Sequence, residues 1–597
     1  MQSKKNPKAF WSHARRKLKT KRGIAPLLLD VLKKDSLTFD DKEKANILQR
    51  QFSSVFTKEP AGEIPRIQQR CNSRIVFPTL SVESVKKKLS SLNPNKSLGP
   101  DDIPARLLIE LAEYISGPLA ALFNETVRRG ELPSDWKRAY ISSIYKKGSR
   151  NNAENYRPIS LTSIICKVME SFMRDAIIEH MIHHNLLSPK QHGFITGRST
   201  LTQLLVYLDK CAEMVAKGKV VDSIYLDFQK AFDTVPHRRL LGKLESYGIN
   251  GAILEWMREY LNGRTQTVIV NGEKSNEAPV ISGIPQGTVL GPLLFVIYIN
   301  DLLDNISSNG LLYADDTKIF RHISSKDDAM ALQTDISKLE DWAETWLLKF
   351  HPDKCHVLSL GKMENTMYTH RYHICGQEME HVFDEKDLGV TFDSDLSFRE
   401  HIANKINKAN AITGLIRRSF TFLDCESFTK LYCALVRPHL EYGQSIWSPH
   451  LMKDLDAIEN VQIRATKLVD GLHNLTYSER LQKLNLPTLA YRRLRGDLIE
   501  IFKHVHKYEP NIVAPSFRRR SRPSRKHDYQ LHEPVPKDGI RGVQTNSLFY
   551  RTPTVWNNLP SHVVEPCSLD TFKNRLDNLW TNQPIKFDHR ATLRSDL

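Results

Sequence analysis

The chain has 597 residues, 40% of them apolar and 26% charged, with 85 Lys and Arg against 68 Asp and Glu, a net charge of +17. That apolar share is enough for a folded globule, and the length implies two to four domains. The basic excess favours a polyanionic partner, because Lys and Arg displace counterions from phosphates. The eight cysteines, at 71, 166, 211, 355, 375, 425, 433 and 567, include no pair at CxxC spacing. This argues against a zinc knuckle and against a secreted disulfide framework. Nine Lys or Arg and no acid fill Met1 to Arg22, with no apolar segment behind them, so this is not a signal peptide. The apolar run Pro292 to Ile299 is too short to span a bilayer. An intracellular protein without a membrane segment is expected.

In chain order, the basic start, which carries Phe10 and Trp11, reads as a solvated arm. Asp41 to Phe56 is predicted helical, with Ala45, Ile47, Leu48 and Phe52 on one stripe. Pro60, Gly62 and Pro65 mark a linker over 59–75. Ser81 caps a helix to Leu92, and Pro104 to Arg129 reads as one long helix stopped by Gly130. Tyr140 to Tyr145 is a strand with Lys146, Lys147 and Gly148 at its end, and Leu161 to Asn185 is helical. Lys219 to Phe228 is a buried strand, followed by helices from Pro236 to Gly248 and from Ala252 to Gly263. Thr265 to Val270 is a strand closed by Asn271-Gly272, a strong hairpin signal. Leu311 to Ala314 and Thr317 to Phe320 flank Asp315-Asp316 as a second hairpin. After about residue 395 the pattern is helical, with candidates at His401 to Phe420, Ser427 to Val436, Asp454 to Val469 and Leu489 to Tyr508. Phe517 to Lys526 holds six Arg or Lys and reads as an exposed linker. Strands and helices mix without βαβ regularity, so the fold class is α+β.

Asp315-Asp316 is the sharpest local oddity. Adjacent carboxylates between apolar strand residues repel each other and are costly to desolvate. A plain Asp-Asp turn tolerates them, and so does a site neutralised by a divalent cation. Asp227 ends another apolar strand, Ser223 to Leu226. Three carboxylates on neighbouring strand ends would form an oxygen-rich site suited to Mg²⁺. Two such ions stabilise the attacking and leaving oxygens of phosphoryl displacement.

Tyr313-Ala314-Asp315-Asp316 resembles the palm-hairpin signature of reverse transcriptases, and Leu226-Asp227-Phe228-Gln229-Lys230-Ala231-Phe232-Asp233 their first palm motif. Ser282 to Pro292 resembles the template-and-nucleotide loop, Asn155 to Leu161 the fingers motif, and Gln191-His192-Gly193-Phe194 the block after it. The full wording, with Tyr298-Ile299-Asn300-Asp301-Leu302, resembles the non-LTR (LINE-type) retrotransposon enzymes, and the jockey-like group in particular. The likeness is dense from about 92 to 395 and continues through Tyr442-Gly443 and Trp556 to Pro560.

The resemblance implies an RNA-directed DNA polymerase shaped as a right hand. Fingers and palm would span 92–395 and a helical thumb 396–480. A basic helical extension and linker would lie over 1–91 and a basic C-terminal region over 481–597. It implies that Asp227, Asp315, Asp316 and the Phe228 carbonyl hold two Mg²⁺, with Mn²⁺ as a substitute. Phe232 is the sugar gate against a 2′-OH, and Arg157 with Lys146 or Lys147 clamps the triphosphate. Gln286 and Gly287 approach nucleotide and template base, and Lys354 protonates the pyrophosphate leaving group. RNA template, DNA primer or target DNA, and dNTPs are the implied partners, and the nucleus the implied location. Ordinary structural roles stay open for Phe232 and for these lysines. Met1 to Leu92 is too short to bury a nuclease core, and no RNase H pattern is seen near the end. Polymerisation without DNA cleavage is therefore expected of this chain. An inactive element-derived RNA-binding protein and a group II intron maturase are the rival readings.

Overall fold

The computed structural model describes residues 23–30, 33, 36–361, 370–508, 519–520, 526–533, 546–565 and 568–594. The basic start Met1 to Arg22 and most of the predicted linker Phe517 to Lys526 lie outside the described residues.

Helix α1 (Asp41–Ser54) is capped by the Asp40 side chain, which accepts from Glu43 N–H. Helices α2 (Val82–Ser90) and α3 (Ala112–Arg129) follow, the first capped by Ser81 and the second stopped by Gly130 at φ +66°. The predicted single helix from Pro104 is two helices, since Ala105–Glu110 ends at Leu111 before α3 begins. Strands β1 (Arg138–Tyr145) and β2 (Tyr156–Leu161) then form an antiparallel pair. Leu161 closes a strand rather than opening a helix. Helix α4 (Ile164–His183) starts only after the Ser163 cap.

Helix α5 (Thr200–Ala216), with a capping box at Ser199 and Thr202, was not among the expected elements. Its run Leu204 to Leu208 is apolar on every side, so it lacks a two-faced stripe, and it is buried on every side. Strand β3 (Val220–Leu226), helices α6 (His237–Ser246) and α7 (Ala252–Leu261), and strand β4 (Arg264–Val270) match their expected places. The Asn271-Gly272 turn has both residues at positive φ, +51° and +98°, and pairs Val270 with Glu273. Helix α8 (Gly291–Tyr298), strands β5 (Asn309–Tyr313) and β6 (Asp316–Ile323), helix α9 (Lys326–Thr345), and strands β7 (His356–Leu360) and β8 (Glu380–Val382) complete the centre.

Two five-stranded sheets result. One runs β8-β7-β3-β6-β5, and the other joins β2, β1, β4 and Glu273–Lys274, with Ala278–Val280 also on β4. The first sheet is covered on both faces. Ile224, Leu226, Ile319 and Val357 enter a core with α4, α6, α7, α8 and α9. Val221, Phe320, Leu358 and Leu360 enter a second core with α5 and the C-terminal helices. This explains the near-continuous apolar run of β3.

Helices α10 (Arg399–Ser419), α11 (Met452–Thr466), α12 (Leu489–His506) and α13 (Leu569–Leu579) share that second core. The predicted helix Ser427 to Val436 is Cys425–Leu431 running into a wider turn at Tyr432–Val436. A small third core packs α1 on β1 and β4 through Ala45, Leu48, Phe52, Ile141 and Val268. The N-terminal helix is therefore docked on the sheet. Among the described residues no helix is long and apolar enough to cross a membrane.

Candidate active site

The carboxylates sit where two strands of the first sheet end together. Strand β6 pairs antiparallel with β3, placing Thr317 opposite Leu226. Asp316 and Asp227 are the next residues on either side of that pair, so they meet at adjoining strand ends. Asp315 lies in the two-residue connection between Tyr313 and Asp316, which pair with each other.

The other residue of that connection, Ala314, has φ +54°, a region that disfavours a Cβ. The buried Gln191 holds it there. The Gln191 Oε1 accepts from Ala314 N–H at 3.0 Å and from Gly193 N–H at 2.7 Å. Neighbouring backbone bonds, Leu312 N–H to Lys190 O and His192 N–H to Leu312 O, dock this segment on β5. A Cβ on Gly193 would come within 2.4 Å of Ala314 N, so only glycine fits. The block from Gln191 to Phe194 thus shapes the turn that carries Asp315.

Charge in the site is only partly compensated, with Arg157 and Lys146 offsetting some of the charge on Asp315. Burial raises the Asp315 carboxyl above the usual carboxylate range, and the charge on Asp227 adds to this. Asp316 is pushed up to about 7, first by burial and then by Asp315, Asp387 and Asp227. Lys354 Nζ lies 2.9 Å from Asp227 Oδ2. The buried Lys318, two residues along β6, is engaged by Asp387 and lies 4.4 Å from the centre of the Tyr207 ring. Its charge therefore offsets Asp316 only in part. Several carboxylate oxygens facing one opening, with their protons held by mutual repulsion, are a donor set suited to a hard divalent cation.

The opening is a cleft of about 680 Å³ lined by Asp227, Phe228, Asp315 and Lys354 together with Lys146, Lys147, Arg157, Phe232 and Gln286. Asp316 lines an adjoining cavity together with Asp227, Lys147 and Lys354. Lys146 and Lys147 follow the end of β1, and Arg157 lies on its partner strand β2. Burial, with Arg157 and Lys354 nearby, lowers the Lys146 pKa. Crowded cations opposite crowded carboxylates are what a metal-bound polyphosphate would neutralise.

The Phe228 ring is buried and stacks on Phe350 at 4.3 Å, so only its backbone can serve the cleft. Phe232 is half-buried and stacks on Phe295 at 4.2 Å and 17°, which fixes its ring at the cleft wall. Gln286 is held at both ends. Its Nε2 donates to Asp233 Oδ1 at 3.0 Å, and its carbonyl accepts from Ser160 N–H at 2.7 Å. Gly287, at φ +101°, passes so close to β2 that a Cβ would lie 2.8 Å from Ser160 O. The following turn is tied by the buried Glu170, whose Oε2 accepts from Val289 N–H at 2.6 Å and Leu290 N–H at 3.1 Å at the start of α8.

The expected residues Asp227, Asp315, Phe228, Lys146, Lys147, Arg157, Phe232, Gln286 and Lys354 line one cleft, with Asp316 and Gly287 beside it. Sequence reasoning gave no role to Gln191, Glu170, Asp233, Lys318 or Asp387. Gln191 and Asp233 stood inside quoted motifs. A lone Glu170 between apolar helix residues Met169 and Met173 was a visible signal for a buried partner.

Residues 144–392 match the family described as reverse transcriptase (RNA-dependent DNA polymerase), so the chain carries a reverse transcriptase domain that contains every one of these residues. It is homologous to the RNA-directed DNA polymerase from mobile element jockey of Drosophila funebris, 27% identical over 453 residues, which cover 72% of this chain and 48% of that protein. The probable RNA-directed DNA polymerase from transposon BS of Drosophila melanogaster is 25% identical over 504 residues, covering 80% of this chain and 54% of the relative. A third, from transposon X-element of the same fly, is 26% identical over 465 residues, covering 75% and 49%. The chain spans about half the length of these curated relatives.

Proposed function

We propose that this chain is an RNA-directed DNA polymerase of a non-LTR retrotransposon, extending a DNA 3′-hydroxyl with dNTPs along an RNA template. The observation that carries the reading is that Asp227 and Asp315 share a cleft with Lys146, Lys147 and Arg157, while Asp316 lines the adjoining cavity with Asp227 and Lys147. In this reading the two sheets and their helices are palm and fingers over 92–395, and the helices after 395 are thumb and C-terminal region, with 1–91 an extension.

Asp227, Asp315 and Asp316, with the Phe228 carbonyl, would hold two Mg²⁺, for which Mn²⁺ can substitute. When bound, these ions supply positive charge at the attacking and leaving oxygens. Arg157, Lys146 and Lys147 bind the triphosphate oxygens, Arg157 through its planar fork. The stacked ring of Phe232 closes the space that a ribose 2′-OH would need. Gln286 and Gly287 bring backbone against the nucleotide and template base. Lys354 holds a proton at Nζ beside Asp227 and passes it to the leaving pyrophosphate. The basic surface grips the RNA–DNA duplex through its phosphates. A nuclear location follows from the need to reach target DNA.

The test is primer extension on an RNA template with purified protein. Extension that requires all four dNTPs, and falls by more than about 100-fold in Asp315→Asn while primer–template binding persists, is the expected result. Comparable extension by that variant would remove the assignment.

A further inference from the structure

Away from the cleft, the segment ahead of α2 brings a sulfur to two imidazoles. Cys71 stands in the stretch 59–75 that reads as a linker, yet this stretch is fastened. Arg70 and Cys71 N–H both donate to Ser246 O, at 2.8 and 3.1 Å, and Ile75 N–H donates to Gly248 O at 3.0 Å. Ile64 and Ile67 fill the space above Gly242 of α6. Cys71 is thereby held against the C-terminal turn of α4, where His180 and His184 are one helical turn apart and share a face.

The Cys71 sulfur and one ring nitrogen from each histidine lie within 4.8 Å of one another. A second observation concerns the other side of the His180 ring. This side chain is buried, and its Nε2 lies 2.8 Å from the carbonyl of Tyr247. A carbonyl only accepts, so Nε2 is the donor to it, which leaves Nδ1 as the nitrogen through which the ring would bind an ion. An imidazole that donates one N–H to a backbone carbonyl and offers the other nitrogen is the arrangement typical of a metal-ligating histidine.

We propose that Cys71, His180 and His184 form a site for a borderline divalent transition ion of the zinc class, separate from the carboxylate cleft. One thiolate and two imidazoles suit such an ion and not Mg²⁺, which takes oxygen ligands. Around one ion the three atoms would stand about 3.5 Å apart, given bonds of about 2.3 Å to sulfur and 2.0–2.1 Å to nitrogen. Cys71 and His184 are both only partly buried, so side-chain rotation can close the difference. On binding, the Cys71 thiol gives its proton to solvent and the sulfur supplies the electron pair. The ion staples the 59–75 segment to α4 and closes a loop of about a hundred residues, a gain of the kind that cross-links give.

The experiment uses the full chain, stripped with a chelator and titrated with Co²⁺. One equivalent should produce the near-ultraviolet absorption of a thiolate–cobalt bond, reversed by Zn²⁺. Cys71→Ser should abolish that band, and His184→Gln, at a part-exposed position, should weaken Co²⁺ binding by about tenfold or more, both with unchanged circular dichroism. Asp315→Asn should leave the band intact. No thiolate band in the parent protein, a band that survives in folded Cys71→Ser, or its loss in Asp315→Asn would each overturn the site.

Discussion

Two clusters of buried charge in this molecule are built in opposite ways. At Lys243, on α6, the ammonium is 1% exposed and donates to Tyr298 O and Asp301 Oδ1, both at 2.6 Å. It also lies 3.6 Å from the centre of the Trp346 ring and 4.7 Å from that of Trp342. Burial pulls its pKa down to about 8, and Asp301 opposes that pull. The chain supplies its own counter-charge there, and Trp342 Nε1 donates to the same carboxylate at 3.2 Å. At Asp227, Asp315 and Asp316 the compensation is only partial: Lys354 reaches Asp227, Arg157 and Lys146 offset part of the charge on Asp315, and the buried Lys318 is taken up by Asp387. A buried charge satisfied from within is a structural fastening, whereas carboxylates only partly compensated beside a cleft have the capacity to take a cation from outside.

The largest expected effect would break the structural side of this contrast. Asp301→Asn leaves the Lys243 charge buried without its partner and should destabilise the fold by about 3–5 kcal/mol in denaturant melts. A loss below about 1 kcal/mol would mean that the aromatic rings alone sustain the ammonium.

Next is a buried group kept neutral, His192, just after the Gln191 that holds the Ala314–Asp315 turn. Burial lowers its pKa from 6.5 to about 3, and its Nδ1 lies 2.9 Å from Thr202 Oγ1. The unfolded chain then binds more protons than the folded one between about pH 3 and 6.5, so stability falls as pH falls through that window. From pH 6.5, where the unfolded imidazole is half protonated, to pH 5 the contribution is about 1.6 kcal/mol, approaching about 1.4 kcal/mol per pH unit at the lower end. Melts of the parent and of His192→Gln at both pH values check this, and the variant should lose that part of the slope.

A smaller effect sharpens the cleft side. Asp316→Asn removes a repulsive charge, so the metal-free protein should melt at a higher temperature than the parent. The same variant should lose most of the rise in melting temperature that Mg²⁺ gives the parent. A metal-free variant that melts lower would show that Asp316 is fastened like Asp301. The smallest concerns selectivity: Phe232→Ala should raise the ratio of ribonucleotide to deoxynucleotide incorporation by roughly tenfold or more. An unchanged ratio in a folded variant would make Phe232 a support for Phe295 only.

Much of the site was legible because its parts are local in sequence. Asp227 at an apolar strand end, Asp315-Asp316 inside a hairpin and Asn271-Gly272 in a two-residue turn each announce themselves within a few residues. Period-two burial and positive-φ turn chemistry act over that range. Helix α5 was missed for a related reason, since burial all round its run Leu204 to Leu208 erases the periodicity that reveals a helix. The break at Leu111 and the strand ending at Leu161 were missed because packing decides such boundaries more than propensity does.

By itself, then, the sequence determined the α+β class, the three carboxylates, the hairpins and the residues expected around the cleft, since strand ends and turns are written in adjacent side chains. The tertiary structure alone decided that Gln191 clamps Ala314 across 123 positions and that Glu170 ties the turn before α8 across 119. It also decided that Lys318 is spent on Asp387, 69 residues away, and that Cys71 meets His180 and His184. These pairings leave no periodic trace in the chain. Hydrogen bonding and charge compensation depend on distance in space, and only the packed sheets and helices set that distance.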